Sequence, residues 1–540
     1  MSRRILLAGL VLACGLALTA APTVAGASPA KLSPGKIKLQ ALSQGAKTWW
    51  AGKPSPGTAA GPRKGASLSF GSNVDANNPA KDLAAGQSET AIAASGQHVL
   101  AAWNDISGAL VLPSNQVTAS VTGVGYSANG GKSFTDLIGL PNNNSNEQWF
   151  GDPTVAAIDS SHFIVGSLYF PPFATLDCTR PAEFDIAVSV ATIGAGNKVT
   201  FTNPIVAVHG ADLCVLFNSP NPPPDAAQPD KDFLSFDAKT RTLSLSYTRF
   251  FFGFGGQSGT GQIELVRAHV PADPAALTAA SFSHPIVVWP EEPTVVNQGA
   301  YPAVAPGGDT YLAWERNFET NLGFNGDPYV YIQAARVPAG ATSPSVGGPA
   351  HPVVVTKGQK NSSPAGGVKS LDGVFISGYN RGIGQDFPRI AVDAPLGKVL
   401  VEWNDASLHP LGDIFLRSLS LGLGSPGAIA KVNDDNGFAL HFLPAVSVRA
   451  DGSVASSWYD RRVAGPNSTL TDYFADVRKS PTANAKDFRV TTGATDWNAT
   501  SSLIAPNFGD YTDNASSGTM TYFTWSDGRI GVPQPFVDHH

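Results

Sequence analysis

Charge is what this 540-residue chain has least of: 14% of residues are charged, against about 25% in an average soluble protein. The net charge of −6 becomes more negative once an N-terminal leader carrying Arg3 and Arg4 is removed. No basic surface remains for a polyanion, and nucleic acid is excluded as a partner. Cysteine is nearly absent, with 3 residues, and no Cys/His ligand spacing or His-x-x-x-His occurs, which excludes a zinc site of the usual kinds. There is no Gly-x-Ser-x-Gly elbow and no phosphate-binding loop. After the first twenty residues no apolar run is long enough to span a bilayer. Nothing sustains a 3.6-residue apolar period over three turns, so helices are not expected beyond a short turn near Asp273–Ala280.

Glycine (56) and proline (42) are plentiful, which suits short strands joined by turns. The dominant pattern is a recurring frame: a proline-led apolar run, a Gly/Asp turn, then a β-branched run ending in Trp and an acid. It reads Pro302-Ala303-Val304-Ala305 to Trp314-Glu315, Phe387-Pro388-Arg389-Ile390 to Trp403-Asn404-Asp405, and Pro444-Ala445-Val446 to Trp458-Tyr459-Asp460. Looser copies end at Trp103-Asn104-Asp105 and Trp525-Ser526-Asp527, and Pro153-Thr154-Val155 leads to Tyr169. The weakest runs from Asp232-Phe233 to Tyr247. Self-similarity at this period marks an array of like units. Each unit reads as a four-stranded antiparallel blade, and blades that cannot bury both faces alone close into a ring. The fold class is therefore all-β, a single propeller of seven blades, with six as the alternative if the divergent stretch around Cys178–Arg249 is an insertion. The last unit supplies three strands, and Ser67–Val74 is placed to give the fourth.

Three regions follow. Residues 1–27 read as a signal peptide, with Ser2-Arg3-Arg4, an apolar Ile5–Leu18 and cleavage after Ala27, and so as a secreted protein; lipid attachment at Cys14 is the alternative. Residues 28–66 are a linker-like lead-in containing Trp49-Trp50. Residues 67–540 form the propeller. Cys178 and Cys214 are expected to form a disulfide, because the exported chain meets an oxidising compartment.

The hairpin Ser127-Ala128-Asn129-Gly130-Gly131-Lys132-Ser133-Phe134 resembles the Asp-box, or BNR repeat, of sialidase-like secreted propellers, whose pattern is Ser-x-Asp-x-Gly-x-Thr-Trp. The closing Gly509-Asp510-Tyr511 and Trp525-Ser526-Asp527-Gly528-Arg529 resemble the end of secreted proteins of that superfamily. The resemblance implies the propeller fold over residues 67–540. Sialidases of that fold hold a substrate carboxylate with three arginines and use a Tyr–Glu pair and an Asp acid. This chain lacks their Phe/Tyr-Arg-Ile-Pro tetrapeptide; Phe387-Pro388-Arg389-Ile390 is a permuted form, so the catalytic set does not carry over.

Inner and second strands are antiparallel, so the residues before each proline and after each Trp share one ring face. That face collects Asp152, Glu315, Arg316, Arg389, Asp405, Asp460, Arg461, Arg462, Asp510, Asp527 and Arg529 as ligand-binding candidates, with Glu89, Asp105, Gln148 and His441 beside them. Carboxylate pairs suit glycoside cleavage, and arginine forks suit acidic sugars. The bland alternatives are that each Trp-x-Asp acid caps its own turn and that the arginines brace neighbouring blades. Asp460-Arg461-Arg462 and Asp527-Gly528-Arg529 are expected to be equivalent, with Asp510 helping to neutralise the guanidiniums. Asn433-Asp434-Asp435-Asn436-Gly437 is a weak Ca²⁺ candidate without EF-hand spacing; otherwise no cofactor is expected. The expected function is binding of an extracellular glycan or other polymer, anionic if the arginines are used, by a monomer. The alternative is a glycoside hydrolase working from the same face.

Overall fold

The computed structural model describes residues 69–79, 86–106, 120–142, 147–170, 183–212, 214, 227–251, 260–292, 295–317, 329–341, 352–369, 371, 376–378, 387–436, 438–465, 468–500 and 508–540. The leader, residues 28–66 and Cys178 lie outside them. Cys214 is buried in the core of the second and third blades.

Seven antiparallel sheets form. Their inner strands are Gln87–Ser95, Thr154–Ala157 (preceded by Gln148–Trp149), Ala227–Asp237, Asn297–Val304, Arg389–Asp393, His441–Val448 and Asp513–Ser517. Each inner strand lies beside the next, and that of blade 7 lies beside that of blade 1, which closes the ring. The divergent stretch is a regular blade: Ala227–Asp237, Thr242–Phe251, Thr260–His269 and Ile286–Trp289 pair in order. Seven blades is therefore correct and six is not. Its signal is faint in sequence because Tyr247 takes the place of the buried Trp.

Blade 7 borrows its fourth strand from the other end of the chain. Asn73–Asp75 pairs with Gln534–His539 through Val74↔Val537 and Asp75↔Phe536, and Ser69–Phe70 folds back as a short fifth strand. A closed ring leaves no long unpaired edge.

The second strands carry Trp103, Trp314, Trp403, Trp458 and Trp525, each 0–1% exposed. A buried Trp adds large apolar area, and each sits in a cluster that spans neighbouring blades. The Ser127–Phe134 hairpin is held by its own side chains: Ser127 Oγ donates to Asn129 Oδ1 at 2.9 Å, and Ser133 N donates to the same oxygen at 3.1 Å. Phe134 buries against the Trp103 cluster. The Asp273–Ala280 region holds two single 3₁₀ turns, Pro274–Ala276 and Ala279–Ser281.

Four inner strands share a bulge near their start. The register slips at Ser88/Ala91, Asp230/Phe233, Gln298/Tyr301 and Phe442/Ala445. The first bulged residue in each takes positive φ: Glu89 (53°), Lys231 (56°), Gly299 (73°) and Leu443 (53°). In blade 2 the same place holds Gly151 (87°) and Asp152 (54°). A bulge re-aims the side chain it carries, and left-handed backbone at a non-glycine residue costs about 1–2 kcal/mol. Three of these strained positions carry Glu89, Asp152 and Lys231.

Candidate functional site

Those three bulges deliver their charges to one place on the axis. Lys231 Nζ lies 2.6 Å from Asp510 Oδ1 and 3.2 Å from Asp152 Oδ2. Asn104 ties blades 1 and 2 together, donating to Glu89 Oε2 at 2.6 Å and accepting from Asp152 N at 2.7 Å. Glu89, Asp152, Lys231, Asp232 and Asp510 are each 0–1% exposed. Four carboxyls thus face one ammonium. Burial, with the Asp510 and Asp152 charges adding to it, raises the pKa of Glu89 well above the ordinary range against the pull of Lys231. Burial also raises Asp232, followed by the charges of Asp152 and Asp230, and neither of its carboxyl oxygens has a hydrogen-bond partner.

Glycines let the acids approach. Gly509 has φ 86°, and a Cβ there would meet Glu89 Cγ at 2.2 Å. Gly151, with φ 87°, would press a Cβ to 2.6 Å from Asn104 Oδ1. Gly151-Asp152-Pro153 and Gly509-Asp510-Tyr511 are thus matching pieces on either side of blade 1. Tyr511 Oη donates to Pro153 O at 3.2 Å.

Next to the acids the axis is filled. The Arg389 guanidinium lies 4.7 Å from the Tyr301 ring centre, 5.0 Å from Phe233 and 5.9 Å from Tyr511. Tyr301 Oη donates to Asp513 Oδ1 at 3.2 Å, and Asp513 is pushed up to about 6, chiefly by burial. Arg389 is cross-strand from Glu402, whose pKa burial raises well above the carboxylate range.

The Trp-x-Asp acids behave differently. Trp403, Trp458 and Trp525 Nε1 donate to Asp405, Asp460 and Asp527 Oδ2 at 2.8, 2.8 and 2.9 Å. Each acid's Oδ1 accepts from the backbone two residues on, Ser407, Arg462 and Arg529, at 2.8, 2.7 and 2.9 Å. These three are clamps that cap their own turns. Arg462 also reaches Asp434 and Asp487 at 2.9 and 2.8 Å. Arg529 grips Asp527 at 2.5 Å, donates to Asn73 Oδ1 at 3.1 Å and stacks on Phe536 at 5.0 Å.

The remaining candidates are dispersed. Arg316 pairs with Glu292 (2.9 and 2.7 Å). Glu315, fully buried, is cross-strand from Gln298. His441 Nδ1 donates to Gly412 O at 2.9 Å, and its Nε2 lies 3.2 Å from Asp435 Oδ1. Asp434 and Asp435 of the Ca²⁺ candidate are therefore engaged by Arg462 and His441; Gly437 is outside the described residues. Asp510 does not neutralise the arginines as expected. It pairs with Lys231 across the axis, because Gly509 turns its strand start inward. Lys231, Asp232, Asn104 and Asp513 escape the sequence reading. Their signal was the Asp230-Lys231-Asp232 run ahead of Phe233, in the weakest copy of the frame.

No family model and no curated protein matches the chain. Among solved structures it is similar to an α-L-arabinofuranosidase of Fusarium graminearum bound to arabinobiose. The identity is 9% and the TM-score 0.40, over 84% of this chain and 92% of that one. It is also similar to a Penicillium chrysogenum α-L-arabinanase complexed with arabinobiose, at 12% identity and TM-score 0.37, over 76% of this chain and 94% of that one. A Trypanosoma rangeli sialidase with sialic acid matches at 12% identity and TM-score 0.40, over 79% of this chain and 60% of that one. The seven-bladed ring itself rests on the strand pairings above.

Proposed function

We propose that this is a secreted carbohydrate-active propeller whose chemistry is centred on the axial acids. The observation that carries the reading is the convergence of Glu89, Asp152, Asp232 and Asp510 on Lys231 from four blades, three of the five on strained bulges. Strain of this kind gathers at functional sites, and carboxyls pushed toward their neutral form next to ionised ones are the raw material of general acid–base catalysis. In this reading Glu89 holds a proton for a leaving group. Asp152, 3.2 Å from Lys231 Nζ, is the partner that stabilises positive charge developing on a sugar ring. Asn104 fixes the distance between the two. The cluster is closed to solvent here, so catalysis requires the ring face to open over the axis.

The test is a panel of arabinosides, sialosides, uronides and plant or microbial polysaccharides, assayed for reducing ends and for binding. The expected result is turnover of at least one, with kcat falling about 10²- to 10⁴-fold in Glu89→Gln while the urea midpoint stays near the parent value. The second reading, a glycan-binding module without catalysis, is favoured by the complete burial of the acids. It takes over if a polysaccharide binds but is never cleaved, or if Glu89→Gln cleaves as the parent does.

A further inference from the structure

Arg461 and Arg449 stand apart from the other arginines of blades 6 and 7: Arg449 is half-buried and donates to Thr521 Oγ1 and His540 O, whereas Arg461 is buried. Arg462, Arg478, Arg489 and Arg529 each contact a carboxylate within 3 Å. Arg461 is 5% exposed and no ion pair reaches it among the described residues. Its partners are neutral: Nε donates to Thr471 Oγ1 at 3.0 Å and Nη2 to Ser377 O at 2.7 Å, and the guanidinium lies 5.8 Å from the Phe442 ring. Burial with no offsetting charge pulls its pKa down to about 10. Elsewhere, Arg267 also lacks a carboxylate, but Thr310 and the carbonyls of Val337, Pro338 and Ala339 occupy all three of its nitrogens. Arg461 has no such saturation.

A second donor stands nearby without an acceptor. Trp497 is 2% exposed and its Nε1 has no hydrogen-bond partner. Both residues meet at the same turn. Ser377 accepts from Arg461, and the next residue, Gly378 (φ 91°), is so close to Trp497 that a Cβ would meet its ring at 2.5 Å. Phe508 completes the group, 5.2 Å from Phe442 and 5.1 Å from Trp497. A buried cation and a buried N–H, both short of acceptors, are each destabilising as they stand.

We propose that Arg461 and Trp497 form an oxyanion subsite between blades 6 and 7 that takes a carboxylate or sulfate carried on a sugar. The guanidinium supplies charge and two-pronged donation, and the indole supplies one further donor. The subsite deepens the carbohydrate-active reading by naming acidic sugars as the class, yet its anion binding does not depend on turnover.

The test measures thermal stability and calorimetric affinity at low ionic strength with inorganic sulfate, galacturonate and glucuronate, with galactose as the neutral control. The parent is expected to bind the anions and not galactose. Arg461→Met should weaken anion binding roughly ten- to a hundredfold, and Trp497→Phe should weaken it several-fold. Without anion, Arg461→Met should melt no lower than the parent, because it removes a buried unpaired charge. Arg529→Ala should bind anions as the parent does. Binding of sulfate alone, with no uronate response, assigns the subsite to sulfated sugars. The proposal falls if the parent binds none of the three anions, if Arg461→Met binds them equally well, or if Arg461→Met melts well below the parent. Failure of the hydrolysis panel with a positive anion response would sink the catalytic reading and leave the subsite standing.

Discussion

Two sets of buried acids share one face of this ring, and they are built on opposite principles. The outer set, Asp405, Asp460 and Asp527, draws its donors from its own turn: an indole two residues back and a backbone N–H two residues on. The axial set, Glu89, Asp152, Asp232 and Asp510, meets across blades far apart in the chain and shares Lys231. Local satisfaction makes a structural part that can be repeated. Shared, incomplete satisfaction makes a place that exists once per molecule.

The outer set also differs within itself. Arginine occupies the second position after the acid at Arg462 and Arg529, whereas blade 5 has Ser407. Without a guanidinium, Asp405 is pushed up to about 6 by burial. Blades 1 and 4 lack the clamp: Trp103 and Trp314 Nε1 have no acceptor, and Arg316 stands where blade 4 would need its acid.

The largest expected effect breaks the axial set. Lys231→Met leaves Asp152 and Asp510 buried without their cation, and should cost about 3–5 kcal/mol in urea unfolding. A loss under about 1 kcal/mol would mean that the cluster is neutral already. Gly509→Ala comes next: the added methyl collides with Glu89 in a left-handed backbone. It should cost about 1–3 kcal/mol from overpacking alone and disturb any activity more than its stability loss accounts for. The smallest effect is at the Asp405 clamp. Asp405 holds its proton longer in the folded chain than in the unfolded one, so the folded state binds more protons between about pH 4 and 6. Its contribution is therefore fullest below about pH 4 and is lost as pH rises through about 6. Asp405→Asn should flatten that decline in the urea midpoint. Equal slopes in parent and Asp405→Asn would refute this.

The blades and their closure were legible because each unit repeats the same two pressures, a buried Trp and alternating apolar residues between turns. The clamp acids were legible for the same reason, down to the turn-capping role. The axial cluster was half hidden. Asp152 and Asp510 stand next to glycines inside the frame and could be found. Lys231 and Asp232 sit inside a strand, and only the bulge, a feature of pairing rather than of composition, turns them to the axis. Arg461 and Arg462 are neighbours in sequence, yet Arg462 is ion-paired and Arg461 meets only neutral acceptors, because alternate residues leaving a strand face different partners.

The ring's clasp has a mechanical consequence. Val74 faces Val537 and Asp75 faces Phe536, so the strand ends that lead to the two termini lie at the same end of the seam. Tension between the termini would load the seam's hydrogen bonds one after another, as a zipper opens, rather than all together. The rivets at the loaded end are Asn73 and Ser72, both donating to Asp538 at 2.7 Å, with Arg529 behind them.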